Sequence, residues 1–181
     1  MRNFYSFIVI LSLLFISCVA KQSSKIKDYN PEQKLKELGI QLSSPSSPVA
    51  NYVNTVRTGN LVFISGKGPL KSDGNYVLGK LGENLTLEQG YEAARLTAIN
   101  LISTLKASIG DLSKVKRIVR VTGMVNATSD FKDHPKVVNG CSDLLVEVFG
   151  DNGKHTRAAV GMNSLPLNIA VEIDMIVEVY D

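Results

Sequence analysis

Arg157 and Glu172 are the residues of this chain whose types and spacing best suit chemistry. They lie in its last stretch, HTRAAVGMNSLPLNIAVEIDMIVEVYD (residues 155–181), in two strand-like runs broken at Asn163-Ser164-Leu165-Pro166. An arginine presents a planar fork of donors that meets a carboxylate at two points. If the two runs pair, that cation comes near an ionisable oxygen acid at one end of a sheet. The plainer alternative is a surface strand with an ordinary salt bridge, which contributes little. His134 belongs to a helix-cap region, and His155 has no second histidine at useful spacing, so no metal site is expected. Ser65-Gly66-Lys67-Gly68 lacks the spacing and the following helix of a phosphate-binding loop.

The elements around these two residues follow from periodicity. Ile169 to Tyr180 alternates, with Ile169, Val171, Ile173, Met175, Val177 and Val179 on one face and Glu172, Asp174 and Glu178 on the other. That is the pattern of a strand with one buried face. Upstream, Tyr52 to Arg57 and Leu61 to Ser65 flank the turn Thr58-Gly59-Asn60 and predict a hairpin, ended by Gly66, Gly68 and Pro69. Leu70 to Leu85 reads as an irregular excursion. Thr86 to Gln89 forms a capping box that opens a helix with Tyr91, Ala94, Ala98, Leu101, Ile102, Leu105 and Ile109 on one stripe, stopped by Gly110. Val115 to Val125 is a third strand. Asp133-His134-Pro135 opens a second helix, with Val137, Val138, Cys141, Leu144, Leu145, Val148 and Phe149 on its stripe and Gly150 at its end. The order is strand, strand, helix, strand, helix, strand, strand. Each helix has a single apolar stripe, so two helices on one face of a mixed sheet is the economical α+β architecture. Apolar residues left on the other sheet face point to oligomerisation.

Composition bounds the class. Of 181 residues, 44% are hydrophobic and 20% charged, a mixture that fills one globular core. The net charge of +3 is small and scattered, and no basic stripe interleaves with aromatics, so nucleic acid is not an expected partner. The first 18 residues fall outside the fold. Arg2, the apolar run Phe4 to Ile16 and Ser17-Cys18 fit a secretory signal too short to span a bilayer as a stable helix. A small residue before a cysteine resembles a bacterial lipoprotein cleavage site, which would make Cys18 the lipidated N-terminus of an exported, membrane-anchored protein. Ordinary secretion and an uncleaved anchor are the alternatives. Acylated Cys18 could not pair with Cys141, which then reads as a lone buried thiol. Residues 19–48 read as a tether, a short helix from Pro31 to Leu38 capped by Asn30 and stopped by Gly39, and a Ser/Pro-rich linker. Residues 49–181 form the folded domain.

From about Val49 onward the chain resembles the Rid (YjgF, L-PSP) family of the chorismate-mutase-like fold. The C-terminal signature carries the resemblance: Arg157, Ala158, Val160, Leu165 and Val171-Glu172-Ile173, with Tyr52, Ser65-Gly66 and Asn139 also in place. His155, Asn163 and Ala159, the last standing where many members have cysteine, depart from it. The resemblance implies a barrel-like homotrimer with a ligand cleft at each subunit interface. It implies hydrolysis of reactive enamines and imines of the 2-aminoacrylate type to keto acids and ammonia. Arg157 would then clamp the substrate carboxylate, and Glu172 would hold or activate water or move a proton to nitrogen. Tyr52, Ser65, Gly66 and Asn139 would complete the pocket. No cofactor is required, because an imine is already electrophilic and hydrolysis needs mainly orientation and proton transfer. The other reading is a trimeric binder of small carboxylic acids without turnover. Export bears on this choice, since the usual enamine sources are pyridoxal-phosphate enzymes of the cytoplasm.

Overall fold

The computed structural model describes residues 30–48 and 50–181. The signal segment, Cys18 and the tether up to Tyr29 lie outside the described residues. The elements, in chain order, are α1 (Pro31–Glu37), β1 (Thr55–Thr58), β2 (Leu61–Lys67), α2 (Leu87–Ile109), β3 (Val115–Asn126), α3 (His134–Phe149), β4 (Thr156–Met162) and β5 (Val171–Val179). From β1 onward this is the order that periodicity predicts. The five strands form one mixed sheet in the order β1-β2-β5-β3-β4. All neighbouring pairs are antiparallel except β3 and β4, which run parallel and are joined through α3, the crossover that parallel neighbours require.

Local chemistry explains the element ends. The Thr86 hydroxyl accepts from Gln89 N and the Gln89 side chain accepts from Thr86 N, a reciprocal cap on α2. Gly110 closes that helix at φ 82°, where a side chain would be strained. Pro135 opens α3 and Gly150 ends it. At α1, the Asn30 side chain accepts from Glu32 N and Gln33 N. This short helix is docked on the domain: Leu35 is buried, and Glu32 pairs with Lys106 of α2 at 3.0 Å.

The core lies between the helices and one face of the sheet. Leu101, Ile102 and Leu105 of α2 and Val138, Cys141, Leu144 and Leu145 of α3 pack over Val62, Val121, Val125, Ile173, Met175 and Val177, all fully buried. Cys141 is a free, buried thiol whose pKa is pushed up to about 12 by burial, with the Arg157 charge acting in the opposite direction. β5 is central, hydrogen-bonded on both sides, and alternates between buried and half-buried residues along its whole length. The helix-free face retains Val56, Phe63 and Val160 as exposed apolar side chains.

Three boundaries differ from the sequence expectation by two residues or more. β1 starts at Thr55 rather than Tyr52, because its ladder with β2 begins at the pair Thr55–Ile64. β2 does not end at Gly66 but runs through it to Lys67 as a bulge, with Ser65 and Gly66 lying between the pairs Ile64–Met175 and Lys67–Ile173. β5 begins at Val171 rather than Ile169, because Ile169 and Ala170 bond to the 70–85 excursion instead: Leu78 bridges Ile169, and Ala170 N donates to Val77 O.

The turn from β4 to β5 holds Leu167 and Asn168 at φ 55° and 60°, the left-handed region that side chains rarely adopt. Asn126, fully buried at the end of β3, faces it with its amide nitrogen toward Asn168 Oδ1 (2.9 Å), Gly79 O (3.1 Å) and Ile169 O (3.2 Å). One buried side chain thereby ties the strained turn to the excursion, and through the turn it sets the positions of β4 and β5.

Candidate functional site

Arg157 lies on β4, an edge strand. It pairs in register with Val121 of β3 and so points to the helix side of the sheet. There its Nη1 donates to Asn139 Oδ1 at 2.8 Å and to Ser142 Oγ at 3.0 Å, both on α3. Residues three apart in a helix share a face, which is why Asn139 and Ser142 reach one nitrogen together. Two contacts use both Nη1 hydrogens. The Nε and Nη2 edge, the side of a guanidinium that meets a carboxylate at two points, has no protein acceptor among the described residues. Arg157 is exposed, so this edge is open to a ligand.

Glu172 lies on β5, in register with Met124 of β3. Its carboxyl lies directly over Gly66 of the β2 bulge: a Cβ on Gly66 would come within 3.0 Å of Glu172 Cδ and 3.1 Å of Cγ, and nearer still to Oε1. Gly66 is required here for space, not for an unusual backbone angle. Desolvation raises the pKa of this half-buried carboxyl, and the neighbouring Asp174 charge raises it further. A folded-state pKa raised above the unfolded value means that the native protein binds this proton more tightly. Stability from this site is therefore full below the unfolded carboxylate range and falls as pH rises through the folded pKa. Glu172→Gln should remove that component, so thermal midpoints of wild type and variant should diverge in favour of the variant as pH rises from 4 to 7. Parallel curves would show that the carboxyl titrates normally.

The two residues do not meet within one chain. β4 and β5 do not pair as the sequence allowed; β3 runs between them. The β3 partners of Arg157 and Glu172 are Val121 and Met124, three residues apart, so the side chains project from opposite faces of the sheet. Two strand spacings across and three residues along put their Cα atoms on the order of 14 Å apart. A salt bridge between them is excluded in the single chain.

The remaining expected residues divide between the two positions. Asn139 joins Arg157. Ser65 and Gly66 join Glu172 on β2, and the Ser65 hydroxyl donates to Val53 O at 2.7 Å, which ties the Tyr52-Val53 segment to that side. Tyr52 is exposed and lies ahead of β1, at the opposite sheet edge from β4. His134 is the first residue of α3, next to its N-cap Asp133, and its ring lies against Gly161 of β4 and edge-on to Phe131. Two residues are not assigned to the site by the sequence, Ser142 and His155. His155 Nε2 lies 3.0 Å from Ser142 Oγ and its Nδ1 lies 2.6 Å from Gly153 O. In the sequence His155 shows only a missing second histidine and a departure from the family signature, and an α3 serine facing a β4 arginine is legible only once both elements are packed.

A mixed five-stranded sheet covered on one face by two long helices, with a guanidinium presented from its parallel edge strand, defines a chorismate-mutase-like α+β protein. The chain belongs to the family described as "YjgF/chorismate mutase-like, putative endoribonuclease", whose model matches residues 32–179. It is 41% identical over 145 residues to Protein TCP17 of Trypanosoma cruzi, covering 80% of this chain and 91% of that one. A protein of unknown function from Agrobacterium tumefaciens is 42% identical with a TM-score of 0.78, over 83% of this chain and 92% of its own. A Shewanella oneidensis protein whose name carries the same endoribonuclease description is 34% identical with a TM-score of 0.80, over 83% of this chain and 99% of its own. The match begins inside α1, so the docked helix lies within the region shared with the family.

Proposed function

We propose that this protein hydrolyses small, carboxylate-bearing imines and enamines of the 2-aminoacrylate type to keto acids and ammonia, in a site shared between subunits of a homotrimer. The observation that carries the reading is the Arg157 guanidinium, held by Asn139 and Ser142 with its Nε–Nη2 edge left for a ligand carboxylate. Glu172 supplies the proton chemistry. Its raised pKa brings it nearer to neutral pH, where one group can both accept a proton and return it. An enamine first becomes the imine, its terminal carbon gaining a proton as its nitrogen loses one. Water then adds to the C=N carbon as the Glu172 carboxylate takes one of its protons and passes it to the nitrogen. In the collapse of the tetrahedral adduct the hydroxyl proton returns to Glu172 as the C=O forms, the C–N bond breaks and the protonated nitrogen leaves as ammonia.

Because Arg157 and Glu172 project from opposite faces of one sheet, they can act on one substrate only if a second copy brings its Glu172 side to the first copy's β4 edge. Val56, Phe63 and Val160 on the helix-free face offer apolar surface for that association. Multi-angle light scattering should give three chains per particle, and a monomer at micromolar concentration would remove the shared site. The test of function is ammonia release from freshly generated imino acids by the wild type. The separation of Arg157 and Glu172 within a chain favours one other reading, a carboxylate binder without turnover, and that reading predicts pyruvate binding with no ammonia.

Gly66→Ala separates position from mere presence of the acid. The obstructing atoms belong to the end of a flexible side chain, so the glutamate can swing aside and the fold should survive with little change in thermal midpoint. Turnover should nevertheless fall roughly a hundredfold, the usual penalty for a displacement of about 1 Å at a reacting group. Full activity in Gly66→Ala would mean that the Glu172 position over the bulge is incidental.

A further inference from the structure

We propose that His155 is the positioning residue of the Arg157 clamp, acting through Ser142. The hydrogen-bond chain has a defined direction. A backbone carbonyl can only accept, so His155 Nδ1, 2.6 Å from Gly153 O, carries the proton. A neutral imidazole with Nδ1 protonated leaves Nε2 as an acceptor, and the Ser142 hydroxyl donates to it at 3.0 Å. With its hydrogen committed to His155, the Ser142 oxygen turns its lone pairs toward Arg157 Nη1, also at 3.0 Å. Gly153 is itself buried, and a side chain there would run into Leu145 and Val146 of α3, so the carbonyl at the end of the chain is held rigidly.

The imidazole suits this role. It is half-buried, and burial lowers its pKa, opposed by the Gly153 contact and assisted by the Arg157 charge. Burial thus favours the neutral form, and only that form accepts from Ser142. The arrangement also removes an ambiguity that a hydroxyl alone would leave. A free serine can rotate its hydrogen toward the guanidinium and repel it; one whose hydrogen is taken by an imidazole cannot. Arg157 is in this way kept in one orientation, with Nη1 turned into the protein and the Nε–Nη2 edge turned out.

This inference rests on the carboxylate reading of Arg157, and its test has a readout that needs no ligand. In the full chain labelled with 15N, the Arg157 Nε–Hε signal should be shifted from the bulk arginine position, and His155 should show the nitrogen pattern of the Nδ1–H tautomer. His155→Phe, which keeps a planar ring but offers no acceptor, should return the Arg157 signal toward that of a free arginine and weaken pyruvate binding roughly three- to tenfold by calorimetry, one hydrogen bond's worth. His155→Gln, whose side-chain oxygen can accept from Ser142, should restore most of both. Ser142→Ala, which also removes the direct contact to Arg157, should lose at least as much as His155→Phe, and the double variant should be no worse than Ser142→Ala alone, because the two act in series. If His155→Phe fails to fold, the Gln and Ser142→Ala variants decide the matter. An Arg157 signal unchanged in Ser142→Ala or His155→Phe, or losses that add independently in the double variant, would overturn the proposal. Absence of pyruvate binding by the wild type would count against the carboxylate reading, while the ligand-free Arg157 signal still decides the role of His155.

Discussion

Arg157→Lys should lose small keto-acid affinity almost as completely as Arg157→Ala. Each should weaken binding roughly ten- to a hundredfold, the range expected for losing one charge-assisted contact of about 1.5–3 kcal/mol. An ammonium keeps the charge but not the flat two-point contact, and it cannot donate to both Asn139 and Ser142 while presenting a second edge. Glu172→Gln should act on the other parameter. Removing a positioned acid–base group should lower turnover about a hundredfold or more and leave keto-acid affinity near that of the wild type. In a binder without turnover, Glu172→Gln would instead bind anions as well as or better than the wild type, since a negative charge is gone. Calorimetry with pyruvate beside the ammonia assay, on wild type and all three variants, reads both parameters. A lysine variant that binds as the wild type does would refute the clamp.

Gly140→Ala is expected to be a strongly damaging single-methyl change. Gly140 lies on α3 where it crosses α2, and a Cβ there would come within 2.9 Å of Tyr91 C and 3.1 Å of Arg95 N, and nearer still to Tyr91 O. These are backbone atoms that cannot rotate away, so the two helices must separate. Alanine gains up to about 1 kcal/mol of helix propensity over glycine, but overpacking of a tight interface costs more. A net loss of about 2–4 kcal/mol would lower the thermal midpoint by roughly 5–15 °C for a chain of this size. Gly39→Ala is the contrast. Its φ is 68° but nothing lies within 4 Å, so strain alone should cost only about 1 kcal/mol. Equal midpoints for the two variants would show that the helix crossing is softer than its geometry. Because Gly140 adjoins Asn139, the Gly140→Ala protein should also bind pyruvate more weakly.

Much of this fold is legible in the chain before folding. The stripes of α2 and α3, the Thr86–Gln89 capping box, the stops at Gly110 and Gly150 and the strict alternation of β5 are local signals, each carried by residues a few positions apart. Local periodicity settles which side chains enter a core, because a helix or strand must bury its apolar face somewhere. Arg157, Glu172, Ser65, Gly66 and Asn139 were also nameable from residue type and signature. What the chain alone left open is which of them meet. Strand order is a long-range property, and the placement of β3 between β4 and β5 depends on the α3 crossover and the Asn126-anchored turn, neither of which has a local sequence signature. That placement sends Arg157 and Glu172 to opposite faces. Packing of α3 on β4 likewise created the contact chain from Gly153 through His155 and Ser142 to Arg157, joining that arginine to residues whose own types had not linked them to it, because hydrogen-bond partners are chosen by the space that remains after the core has closed.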